Sequence, residues 1–268
     1  MRLIIDFIRD LYANRFVIFQ LTRRDLQNRY IGSVFGLFWH IVQPLVMLVI
    51  LWFVLTQIFK SGTTASGVPF IAWLIAGLIG WNFFVEAISN ATNVFQEFSY
   101  LVKKLNFRVA ILPIVKILSA LFTHGIFIII AICILLFSGV PVSIYWLQII
   151  YYLFALGMFL LGLSWLLSSL NVFLRDVSYF VVVFLQFFYW LTPIIWRIED
   201  VPARFAIFFK ANPLFYIVNG YRESLIPAHV PFWDHPVQTL SFWVVTLCLL
   251  ALGAFTFRRL RPHFSDVL

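Results

Sequence analysis

Residues able to do chemistry are few in this chain, and they are not gathered. His40, His124, His229, His235 and His263 lie scattered through the sequence, without an HExxH pattern or a spacing that would group metal ligands. Every lysine follows a residue other than glycine, so no phosphate-cradling Gly-Lys loop is present. Glu199 and Asp200 form an adjacent carboxylate pair, but no nucleophile or glycine elbow accompanies them. Cys133 and Cys248 fall in apolar runs and make neither a zinc site nor a disulfide framework. The sequence therefore offers no catalytic residue, no metal site and no resident cofactor. What it does offer is a polar stripe, with Asn82, Glu86, Ser89 or Asn90, Asn93 and Glu97 at steps of three and four on one helical face. A charged carboxylate at the centre of a membrane helix costs about 2.5–3.5 kcal/mol on insertion scales. Glu86 is thus expected to face protein or water, unless it sits close enough to the helix end to reach headgroup water.

The elements that must position this stripe are membrane helices. Hydrophobic residues make up 63% of the 268 residues and charged ones 11%, against about 25% charged in an ordinary soluble domain. Mean hydropathy is +0.98, so lipid has to solvate most of the chain. Charge-free runs cover Tyr30–Phe59, Gly67–Val85 and Ile117–Leu174, the last broken by the turn signal Ser138-Gly139-Val140-Pro141. Six spans are expected, at about 33–59, 68–92, 109–137, 144–170, 177–196 and 236–257. One side receives Arg2, Arg9, Arg15, Arg23, Arg24, Arg29, Lys103, Lys104, Arg108, Arg175, Arg258, Arg259 and Arg261. The other receives Lys60, Arg197, Arg204, Lys210 and Arg222, partly offset by acids. The positive-inside rule then puts both termini in the cytoplasm. Lys116, just inside the third span, is expected to snorkel back to the basic side. The net charge of +8 belongs to the membrane surface and calls for no nucleic-acid partner. Asp6 and Asp10 interrupt the place where a cleaved leader would keep its apolar core, so the first span is expected to anchor the chain.

Segments between the spans carry their own patterns. Ile4, Phe7, Ile8, Leu11 and Tyr12 share a helical face opposite Asp6, Arg9, Asp10 and Asn14, the signature of a helix lying in the interface. Thr22-Arg23-Arg24-Asp25 matches a capping box that would start a second helical piece. Residues 93–108 mix Phe95, Phe98, Tyr100, Leu101, Leu105 and Phe107 with Lys103 and Lys104. That segment suits either a helix docking on a soluble partner or one resting on lipid headgroups. Between spans five and six, 197–235 is rich in apolar residues broken by Pro202, Pro213 and Pro227. Two short helices dipping into the outer leaflet, or an interfacial pair, would account for it. Aromatic residues reach 19% of the chain. Trp52 and Phe53 lie deep in span one, and Phe180, Phe184, Phe187 and Phe188 recur at helical spacing in span five. They suit helix packing or a wall of flat faces along which sugar rings slide. Gly32 and Gly36 form a GxxxG, a weak sign of close helix packing.

Taken in order, these pieces resemble the permeases of ABC-2 type transporters that export bacterial polysaccharides such as O-antigen, capsule and teichoic acid. The resemblance is carried by residues 21–30, Leu-Thr-Arg-Arg-Asp-Leu-Gln-Asn-Arg-Tyr, and by Gly32 to Gly36, Trp39 to Pro44, Tyr100 to Lys104 and Ile111 to Pro113. It continues through Asn171 to Asp176, Thr192 to Ile194, Asn212-Pro213 and Tyr221-Arg222. Each piece is short, but their order and spacing over nearly the whole chain are specific. The resemblance implies an all-α integral membrane protein with six transmembrane helices. It also implies an amphipathic interface helix within 1–30, a transmembrane domain over 31–268, and two re-entrant periplasmic helices between spans five and six. It implies a homodimer with two ATP-binding cassette subunits that bind the ATP, in the bacterial inner membrane. The cargo would be a polysaccharide on an undecaprenyl-type lipid. On this reading Arg23, Arg24, Asp25, Glu97, Tyr100, Leu101, Lys103 and Lys104 couple to the ATPase. Trp52, Phe53, Phe180, Phe184, Phe187 and Phe188 line the channel, with Asn82, Glu86 and Asn90 as its polar stripe. Phe208, Asn212, Pro213, Tyr216, Tyr221 and Arg222 belong to the periplasmic gate.

Alternatives differ in what they require. An ABC-2 exporter of another lipid or a drug often carries a long extracytoplasmic domain or a fused ATPase, neither of which the sequence shows. A membrane-embedded transferase acting on lipid-linked sugars needs carboxylates or histidines converging in a cavity, and Glu86 is the one candidate deep enough. A channel or ion-coupled carrier would show several intramembrane charges.

Overall fold

A computed structural model describes residues 9–28, 38–58, 67–104, 107–227 and 230–268. The regular elements among them are helices. After a helical stretch over 9–13 and a turn at Asn14 comes α1 (Arg15–Asn28). Next are α2 (Phe38–Phe53), which loosens into a π-helical turn over Val54–Ile58, and α3 (Phe70–Thr92). Two single turns, Val94–Glu97 and Ser99–Val102, lead to α4 (Leu112–Phe137). The chain continues with α5 (Gln148–Phe173), α6 (Asp176–Leu191), α7 (Ala203–Lys210), α8 (Pro213–Leu225) and α9 (Pro236–Leu260). Prolines 113, 213 and 236 sit in first turns, where the missing N–H costs nothing.

Among the described residues, four helical stretches are long and apolar enough to cross a membrane: Phe70–Thr92, Val109–Phe137, Ile144–Phe173 and Pro236–Val267. Pro44–Ile58 and Asp176–Leu191 are apolar but shorter. The expectation of helix over 177–196 is therefore corrected at its end. Pro193 disfavours helical backbone at the residue before it, and Thr192 turns extended at φ −91°, ψ 130°. The 16 residues of α6 rise only about 24 Å, less than a hydrocarbon core of about 30 Å. The turn signal after α4 forms a Schellman motif. Gly139, at φ +76°, donates to the Leu136 carbonyl, and Val140 donates to that of Leu135.

α3 occupies the centre, packed against α4, α5 and α8, and most of its apolar surface is buried. α5 and α9 run together as the most extensively paired helices, and the reason is glycine. A methyl added to Gly162 would lie 2.7 Å from the Leu250 nitrogen, and one added to Gly253 would strike the Gly162 carbonyl. The two backbones touch because neither has a side chain there. The GxxxG at Gly32 and Gly36 lies outside the described residues.

Two expectations about the segments outside the spans are corrected. Thr22 does not open a helix: it sits within α1 and its hydroxyl donates to the Ile18 carbonyl one turn back. α1 lays Ile18, flanked by Leu11 and Leu21, against Ile111, Val115 and Leu118, while Tyr12, Phe16 and Phe19 stay exposed. Ile4, Phe7 and Ile8 lie outside the described residues. The bulky residues of 93–108 serve the chain's own core. Phe95, Phe98, Leu101 and Val102 pack with Trp165, Val172, Phe257 and Phe264, while Leu105 is outside the described residues.

Candidate functional site

Of the predicted channel aromatics, Phe180, Phe184, Phe187 and Phe188 form a contiguous row along α6, with Phe188 packed in part on the core. Phe184 and Phe188 stack at 4.0 Å with planes 28° apart, and Phe180 continues the ladder at 5.8 Å from Phe184. Phe180 and Phe187 are 61% exposed and Phe53 is 55% exposed, while Trp52 is half-buried. Tyr179, Val183 and Trp190 are exposed on the same helix, and only Val181 and Leu185 of α6 are fully buried. A helix that leaves this much aromatic surface uncovered presents it to lipid, to a second chain or to cargo.

Glu86 faces protein. Its Oε1 accepts from Thr123 on α4 at 3.1 Å, and the Asn90 amide donates back to the Glu86 carbonyl at 2.7 Å. Asn82, Glu86 and Asn90 are all partly buried along one edge of α3. Near the end of the stripe, Asn171 donates to the Thr92 carbonyl at 3.1 Å and to Asn93 Oδ1 at 3.0 Å, and Gln96 donates to the Asn171 carbonyl. This clasp fixes where α3 ends against α5. Sequence reading placed Asn171 in a motif without giving it a role; its signal is a lone amide in an apolar run.

The residues assigned to coupling divide into two groups. Arg23, Arg24, Lys103 and Lys104 are exposed, Tyr100 is 47% exposed, and so is part of Glu97. Asp25 and Leu101 are buried within the chain, which turns them away from any surface a partner would touch. Lys116 does not snorkel. It is 3% exposed, and its ammonium donates to Asp25 Oδ1 at 2.6 Å and to Glu97 Oε2. Two carboxylates within reach compensate a cation that would otherwise have to leave the interior. Nearby, Arg108 pairs with Asp10 at the surface.

The gate residues also divide. Phe208, on α7, is 71% exposed. Asn212, Tyr216, Tyr221 and Arg222 are buried, and Pro213 is half-buried in the first turn of α8. Asn212 caps α8 by accepting from the Leu214 N–H at 3.0 Å, and its amide donates to Thr192 Oγ1 at 2.9 Å. Arg222 donates to the carbonyls of Pro193 and Ile194, each at 2.6 Å, with its guanidinium 3.5 Å from the centre of the Trp73 ring. Thus 192–194, 212–213 and 221–222, separate in sequence, meet as one clasp that ties α8 to the end of α6 and to α3. Tyr221 pairs with His124 at 3.0 Å, and the Tyr216 hydroxyl lies 2.9 Å from Tyr151 and 3.1 Å from Thr239. At the far end of α8, Glu223 contacts His235 Nε2 at 3.0 Å and accepts from Asn219 at 2.7 Å. Burial pushes the Glu223 carboxyl above its ordinary range, against the pull of those two partners. Among the described residues, no group of three or more His, Cys, Asp or Glu is placed to hold a metal ion.

Comparison with known proteins gives a consistent set of similarities. The family described as ABC-2 type transporter matches residues 17–226. Two proteins of Klebsiella pneumoniae, each named O-antigen export system permease protein RfbA, are 27% identical over 250 and 251 residues, covering 92% of this chain and 93% of theirs. A protein of the same name from Myxococcus xanthus is 23% identical over 269 residues, covering 98% of this chain and 99% of its own.

Proposed function

As a member of the ABC-2 type transporter family, the chain is a multi-pass membrane transport subunit, and we propose that it exports lipid-linked, O-antigen-like polysaccharide across the bacterial inner membrane. The observation that carries this reading is end-to-end similarity to permeases named for O-antigen export, which covers at least 92% of this chain. The energy comes from a separate ATP-binding cassette subunit, in a complex of two copies of each chain. The pathway runs between the two permease copies. α2 and α6 count as spans beside α3, α4, α5 and α9, for six in all, and both termini lie in the cytoplasm. The aromatic face of α6 supports this arrangement physically. Flat, weakly polar rings let sugar residues slide past, where dense hydrogen bonding would hold them. α7 and α8 close the outer end as re-entrant helices. α7 offers Phe205, Ile207 and Phe208 to the outside, and α8 is fixed by the Arg222 clasp. Arg23, Arg24, Tyr100, Lys103 and Lys104 are the exposed set through which the ATPase docks.

Depletion of the protein in its native host tests the assignment. Lipid-linked glycan should accumulate inside while surface polysaccharide disappears. Loss of the lipid-linked glycan itself, without accumulation, would mean a role in synthesis and would favour a transferase acting on lipid-linked sugars. Accumulation of a different lipid would point to an ABC-2 exporter of another cargo.

A further inference from the structure

We propose that Lys116 is a positioning residue that locks α1 and the 94–102 segment into one cytoplasmic body. Its Nζ lies at the start of α4, 91 positions from Asp25 and 19 from Glu97, and bonds to both carboxylates. The ring of Phe98 lies 5.4 Å from the same ammonium. Around this point the two elements rest on different supports. α1 leans on Ile111 and Val115 at the start of α4, whereas Val94, Phe95 and Phe98 pack toward α5 and α9. Leu21 and Phe107 join the two apolar clusters, but such contacts allow sliding. The shared cation adds direction, because each carboxylate must meet it at a fixed point.

The burial makes the lock obligatory on one side. Lys116 and Asp25 have side chains only 4% and 6% exposed, so their contact is made away from water, where an ion pair is costly to disturb. Glu97 is 47% exposed and keeps one edge in solvent. The Asp25 contact is therefore the permanent half, and the Glu97 contact is the half that can yield when the surface is pushed. A force on either exposed surface, Arg23 and Arg24 or Tyr100 and Lys103, then arrives at α4 through one ammonium. This use of the lock rests on the permease reading; the lock itself does not.

The test uses the full chain in lipid nanodiscs, alone and with its ATP-binding partner, with Cys133 and Cys248 replaced by alanine. Spin labels at Gln20→Cys, an exposed position, and Ser99→Cys, a partly exposed one outside the docking set, report the distance between α1 and the segment. Lys116→Met should abolish the single narrow distance, and Lys116→Arg should restore it. In the complex, export per ATP hydrolysed should fall roughly tenfold in Lys116→Met, within the usual range of coupling free energies, while the subunits stay associated. A distance as narrow in Lys116→Met as in the parent overturns the proposal. If Lys116→Met does not fold, Glu97→Ala decides, since its half-exposed side chain leaves no buried carboxylate behind. Broadening then supports the lock and an unchanged width refutes it. Failure of the permease reading would show separately, as absence of ATP-dependent export in the unmodified complex while the distance result stands.

Discussion

Replacing Arg222 by methionine should release α8 from its clasp, and the structure sets the size of the effect. The substitution keeps an unbranched side chain of similar reach but removes the donors that satisfy the buried carbonyls of Pro193 and Ile194. Each carbonyl left unsatisfied costs about 1–3 kcal/mol. Loss of the guanidinium over Trp73 removes about 1–2 kcal/mol more. Against this, a cation no longer has to be buried, which returns part of the loss. A net destabilisation of about 3 kcal/mol is expected, or a fall in Tm of about 6–12 °C for a chain of this size. Arg222→Lys should fall between, because a point charge cannot serve two carbonyls and a ring face as a planar fork does. Gly77 supplies the control. A methyl there would lie 2.6 Å from the Arg222 Nη2, so Gly77→Ala should destabilise the native chain but cost far less when Arg222 is already methionine. Thermal unfolding of the purified protein, followed by tryptophan emission, reads all four variants. Additive losses would refute the reasoning, since the two sites would then not share a contact.

Three further outcomes are expected. Phe184→Ala with Phe188→Ala removes the 4.0 Å stack and should reduce surface polysaccharide while leaving the proposed dimer intact, as read by chemical cross-linking; loss of that dimer would make these rings packing residues. Reversing Lys103 and Lys104 to glutamate should weaken capture of the ATPase subunit or lower export per ATP, and unchanged coupling would remove this segment from the interface. A cysteine at Ala211, exposed between α7 and α8, in a background lacking Cys133 and Cys248, should react with an impermeant thiol reagent added outside intact cells. Labelling only after the inner face is opened would overturn the orientation.

The sequence by itself determined the class of molecule and where most of the long helices among the described residues form. Those properties are local sums. Apolar runs longer than a soluble core requires, a Gly-Val-Pro turn after residue 138 and proline in first turns all act within a few residues of themselves. The resemblance to polysaccharide exporters was legible for a similar reason, since short pieces in fixed order survive in sequence even when each is weak. Tertiary structure alone decided which polar residues face outward. Asp25 and Arg24 are neighbours on one helix, yet Asp25 is buried on Lys116 while Arg24 is exposed. The period of α1 puts Asp25 on the stripe of Ile18 and Leu21, but it does not reveal the cation that meets Asp25 there. Leu101 reads as a docking residue until Trp165 and Phe257, far along the chain, are found to form a cluster with it. The meeting of Thr192, Asn212 and Arg222, and the backbone contact at Gly162 and Gly253, are likewise long-range. Such contacts depend on how helices cross. Crossing is set by the joint fit of many side chains rather than by the pattern of any one segment.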